Sequence, residues 1–117
     1  MKFLRKLLVA ALLIISLFTL TGCFPANVKE AKQKLEGLNY FCVDGDYAGN
    51  EDGIVSGFTA SKFDENNQKQ TIIVLYFESS SKAEKYAKSW YNSIFITEYN
   101  GKCAYSGTEK AVNDFRS

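Results

Sequence analysis

The sequence predicts an α+β fold: one small domain in the order α-β-β-β-α-β-α, with helices packed on a four-stranded mixed sheet. Three observations carry this expectation. Thr71-Ile72-Ile73-Val74-Leu75-Tyr76-Phe77 is apolar at both parities, the pattern of a central strand covered on both faces. Residues 38–43 and 54–60 alternate instead, as half-buried strands do. Residues 28–36 and the stretch after Ser81 repeat apolar side chains at helical spacing, each behind a capping signal.

Asn27-Val28-Lys29-Glu30 has the form of a capping box, and Val28, Ala31, Leu35 and Leu38 follow at near-helical intervals, which predicts a helix over 28–36. Gly37 supplies a left-handed stop, with Leu38 placed to fold back on the last turn. Leu38, Tyr40 and Cys42 then share one face of a strand, and Asn39, Phe41 and Val43 the other. Residues 44–53 hold three glycines and four acids and read as a turn; Ile54, Phe58 and Ala60 alternate with Val55, Gly57 and Thr59 in a second strand. A polar turn over 62–69 leads into the central strand.

Ser81-Lys82-Ala83-Glu84 reads as a second capping box. Ala83, Tyr86, Ala87, Trp90, Tyr91 and Ile94 make the apolar stripe of the helix behind it. A short strand over 102–106 and a last helix, capped by Thr108 with Ala111, Val112 and Phe115 inward, complete the order. The first three strands should form an antiparallel meander, and the fourth, returned by the long helix, should run parallel to the first and third.

The chain opens differently. Lys2, Arg5 and Lys6 precede an apolar run from Leu7 to Leu20, broken only by Ser16 and Thr19. Fourteen residues are short of the about 20 that a helix needs to cross a bilayer, and they suit the core of an export signal. The run ends in Leu20-Thr21-Gly22-Cys23, which resembles the lipobox of bacterial lipoproteins. That resemblance implies a diacylglyceryl group on the Cys23 thiol, cleavage between Gly22 and Cys23, and further acylation of the new amine with palmitate-type chains. Two or more chains, at roughly 0.8 kcal/mol per buried CH₂, anchor a protein that one would not. The organisation expected is then a signal peptide over 1–22, a lipidated tether over 23–26 and a single domain over 27–117, held at the cell membrane on its extracytoplasmic face. Phe24 is not the aspartate that retains such proteins at an inner membrane, so outer-membrane sorting is open in a two-membrane host. The domain is also similar in outline to small uncharacterised lipoproteins of AT-rich, one-membrane bacteria, a likeness that brings no function with it.

Taking the three leader cations from 14 leaves 11 basic against 13 acidic residues, a net of −2. A domain so balanced has no electrostatic footprint for nucleic acid and no basic patch for anionic lipid, so membrane attachment falls to the N-terminus.

Catalytic signals are weak, and no catalytic residue, metal site or cofactor is expected. The chain has no histidine, which removes the usual base for a serine or cysteine nucleophile. Ser79-Ser80-Ser81-Lys82 could form a serine–lysine pair, but it is better explained as a helix cap. Asp44-Gly45-Asp46-Tyr47-Ala48-Gly49 opens like a calcium loop, yet Ala48 and Val55 stand where ligands are needed, so solvated turn acids are the better reading and a weak cation site with Glu51 or Asp52 the lesser. Residues 53–57 lack the ending of a phosphate loop.

Cys42 and Cys103 are candidates for a disulfide, since such bonds persist outside the cytoplasm and this one would close a loop of about 60 residues, worth roughly 3–4 kcal/mol. It requires the first and fourth strands side by side. The alternative is two buried thiols. Tyr86, Trp90, Tyr91 and Tyr99, with Phe95, cluster along the long helix and its exit; on such a stripe they read first as core, and second as a partner surface. The functional expectation is a non-catalytic binding or interaction module of the cell envelope, its partner a protein, peptide or small ligand. The alternative is a structural or immunity-type lipoprotein that blocks something near the membrane.

Overall fold

The computed structural model describes residues 24–47, 50–90 and 94–117. Among the described residues are three helices and five strands: α1 (Val28–Glu36), β1 (Phe41–Asp44), β2 (Ile54–Phe63), β3 (Lys69–Phe77), α2 (Ser80–Ser89), β4 (Ile96–Asn100), β5 (Cys103–Gly107) and α3 (Glu109–Arg116). The strands form one sheet in the order β1-β2-β3-β5-β4, and every pairing is antiparallel. The α+β class and the β1–β2–β3 meander stand as predicted; the four-stranded mixed sheet does not.

The difference comes from β4. The return stroke after α2 belongs to this strand, which lies one position beyond β5 and runs parallel to β3. A two-residue turn at Gly101-Lys102 then reverses the chain, so β5 slots between β3 and β4 antiparallel to both. Gly101 has φ +58°, as the first central residue of a tight hairpin requires.

β3 carries the packing on both sides. Ile72, Val74 and Tyr76 face the layer of α1 and α3, where Leu35, Phe58, Tyr105, Val112 and Phe115 complete a continuous core. Leu75 and Phe77 face the opposite way and meet Ala83 and Ala104 under α2.

The local signals resolve in detail. Asn27 caps α1, its side chain accepting from the Glu30 N–H at 3.0 Å. The end of α1 corrects the expectation for Gly37, which is right-handed (φ −62°). The left-handed residue is Asn39, φ +71°. Tyr40 N–H donates to Leu35 O and Asn39 N–H to Glu36 O, the paired bonds of a Schellman cap. Tyr40, not the exposed Leu38, is therefore the apolar residue that folds back on the last turn, and β1 starts only at Phe41. The cap of α2 is Ser79 rather than Ser81: the Ser79 hydroxyl accepts from Lys82 N–H, two residues before the predicted box.

Candidate functional site

Where the chain enters the fold is the first feature of interest. Phe24 lies edge-on to Phe115 (ring centroids 5.3 Å) and tilted against Tyr105 (5.7 Å). Pro25 is buried, and its carbonyl accepts from the Tyr76 hydroxyl at 2.7 Å. The Ala26 N–H donates to Glu30 Oε2 at 2.7 Å. A buried phenol needs a partner, and Tyr76 finds it in this segment. The expected tether over 24–26 is thus packed onto the domain. Phe24 is only partly buried, so its ring contributes less than the about 3 kcal/mol of a fully buried one, and the hydrogen bond adds about 1. Gly22 and Cys23, the predicted cleavage and lipid positions, lie outside the described residues.

The second feature is an open half of the sheet. Register places Cys42, Ala60 and Ile72 in one row on the α1/α3 face. Their neighbours point to the other face, where α2 packs on β3, β5 and β4 and, among the described residues, leaves β1 and the far end of β2 uncovered. Phe41, Val43 and Phe63 stand there 72%, 54% and 66% exposed. Thr59 and Ser61 lie between them in register with Val43 and Phe41. Register thus gathers three exposed apolar side chains at one end of one sheet face. The alternating pattern of 38–43 predicted the face but could not say that no described element lies over it.

The aromatic residues predicted as a partner surface divide. Tyr86 packs between Phe77 (5.2 Å) and Trp90 (5.3 Å), and both Tyr86 and Trp90 are partly buried against the second core. Tyr99 is exposed on the edge strand β4, and Tyr91 lies outside the described residues. Tyr86 and Trp90 thus line the rim of the second core, and neither is fully buried in it.

The disulfide is corrected. β1 and β5 are separated by β2 and β3, so Cys42 and Cys103 lie three strand spacings, about 14 Å, across the sheet and four residues along it. Both are free thiols, Cys103 buried and Cys42 partly so. Burial pushes the Cys103 thiol up to about 12 and raises that of Cys42 as well.

An open groove of about 620 Å³ runs between α1 and the start of β2, lined by Val28, Lys29, Lys32, Asp44, Tyr47 and Val55. Its charges are matched internally: Lys32 Nζ bonds Asp44 Oδ1 at 2.8 Å, which raises the Lys32 pKa. A single aromatic wall and a closed ion pair make it a poor small-molecule pocket. The serine–lysine pairing weighed for 79–82 is not assembled either, since Lys82 Nζ bonds Glu78 at 2.9 Å. Among the described residues no group of three His, Cys, Asp or Glu side chains could hold a metal, and no helix is long and apolar enough to cross a membrane.

Comparison with protein-family models, with curated proteins and with solved structures finds no match.

Proposed function

We propose that the protein is a lipid-anchored lipoprotein on the extracytoplasmic face of the cell membrane, and that its domain is a non-catalytic binding module for an envelope protein or peptide. The charged leader, the apolar run and Cys23 support the anchor. The observation that carries the binding reading is the uncovered sheet face with Phe41, Val43 and Phe63. A folded domain this small gains nothing by exposing two phenylalanines unless something covers them. A protein or peptide surface suits the patch better than a small ligand, because the patch is flat and lies at a sheet edge, where an extended partner strand could also pair with β1.

The test has two parts. Intact mass of the membrane-fraction protein should show cleavage before Cys23 and acylation, both lost in Cys23→Ser. A photo-crosslinking residue at Phe41 or Phe63 in cells should give discrete protein adducts that a probe at exposed Glu109 does not give, and that Phe41→Ser/Phe63→Ser competes poorly for. Equal crosslinking from all three positions would defeat the binding reading.

A further inference from the structure

The packed segment over Phe24–Ala26 sets which way the domain faces. An unpacked three-residue tether would let the domain roll beneath its anchor with a reach of about 10 Å. Here the slack is taken up. Phe24 is wedged against Tyr105 and Phe115, and Pro25 is bonded to Tyr76. Cys23 is one Cα step, about 3.8 Å, before Phe24. A group on its thiol is therefore tethered within one residue of Phe24, which packs on α3 and β5. Glu98 links these elements, accepting from Tyr105 at 3.0 Å and from Arg116 at 2.5 Å.

The apolar patch is at the far corner. Tyr105 is in register with Val74, Phe58 and Asp44. Phe41 is three strands across and three residues along from it, about 14 Å and 10 Å, and on the opposite face of the sheet. Phe63 is two strands across and five residues along, about 10 Å and 17 Å.

We infer that Phe24 and Pro25 are a docking element that holds the acylated Cys23 at the α3/β4 corner, so that this corner rests on the lipid headgroups and the Phe41–Val43–Phe63 face is turned away from the bilayer. The inference rests on the lipid-anchor reading above. It deepens that reading by giving the membrane a contact surface and by keeping the apolar patch from being spent on lipid. A partner would then approach from the aqueous side.

The experiment uses the mature acylated protein in vesicles of phosphatidylethanolamine and phosphatidylglycerol containing spin-labelled lipid. An encoded environment-sensitive fluorophore is placed at Arg116 or at Phe63. The Arg116 probe should be quenched several-fold more strongly than the Phe63 probe. A Gly-Ser insertion between Cys23 and Phe24 leaves the leader through Cys23 and the folded domain unchanged, and should bring the two signals close to equality. Equal quenching in the uninserted protein, or stronger quenching at Phe63, would overturn the orientation while leaving the anchor intact. Intact mass on the same sample separates the cases, since an unacylated Cys23 would defeat the anchor and the orientation together.

Discussion

Asn39 holds a backbone that most side chains avoid. At φ +71° a Cβ crowds the following carbonyl, and asparagine tolerates this better than other non-glycine residues. Asn39→Ala should cost about 1 kcal/mol and Asn39→Gly little or nothing, as read by urea denaturation. Cys103 is a different case, a thiol whose chemistry is suppressed by its surroundings. With its pKa pushed up to about 12 and its sulfur buried, it should resist alkylation in the native protein at pH 8. Cys42, only partly buried, should be modified first. Peptide mass mapping after brief iodoacetamide treatment checks the order, and a disulfide-linked Cys42–Cys103 peptide would contradict the sheet order itself. Both features escape a reading of residue types. Gly37 was the obvious left-handed candidate, and the choice between it and Asn39 depends on how far the last turn of α1 winds before Tyr40 reaches the core.

Among the elements, β4 and β5 carry the lesson. Ile96-Thr97-Glu98-Tyr99-Asn100 has no strong apolar face, because it is an edge strand whose Glu98 is occupied by Tyr105 and Arg116. Its hairpin partner was legible, and the glycine-led pair Gly101-Lys102 between two short β-rich runs was the available signal. Once β4 is missed, the direction and neighbours of β5 follow wrongly, and with them the disulfide. At the other end of β5, Gly107 closes tightly on β3: a Cβ there would meet the Thr71 carbonyl oxygen and lie 2.8 Å from Ile72 Cα. Those neighbours are backbone and cannot step aside. Gly107→Ala should therefore lower stability by roughly 1–3 kcal/mol, the range of overpacking, and thermal denaturation would show it. By contrast α1, β3 and α3 were legible almost to the residue, because each joins a strong apolar pattern to an unambiguous start.

Across the whole molecule, stability should depend on alkali more than on any single ion pair. Burial raises the pKa of Cys103 and Cys42 from an ordinary 9.0, and of Tyr40, Tyr76 and Tyr105 from an ordinary 10.0; for Tyr40 and Tyr105 the carboxylates they bond to, Asp114 and Glu98, push the same way. A raised folded value means that the native state holds these protons more tightly than the unfolded chain. Their contribution is complete below about pH 9 and is lost as pH rises through the folded values. The urea midpoint should hold steady from pH 7 to about 8.5 and fall steadily above about pH 9. On the acid side Asp64 has the opposite sign. Backbone N–H donation from Gln68, first among the bonds in its turn, lowers its pKa below the ordinary 3.8, so its share is present above that value and fades as pH falls through the folded one.

The sequence alone determined the class, the meander, the two-faced central strand, and two of the three helix starts. Those depend on side-chain periodicity and capping, which are local properties of a chain in water. The lipid-anchor proposal likewise draws on neighbouring residues alone, the charged start, the apolar run and Cys23. Only the tertiary structure decided the order β1-β2-β3-β5-β4, the separation of the two free thiols, the seating of Phe24 against Tyr105 and Phe115, and the bare face around Phe41 and Phe63. Each of these turns on which element lies beside or over which other. That is fixed by competition among whole surfaces for burial, and residue identity read in one dimension does not contain it.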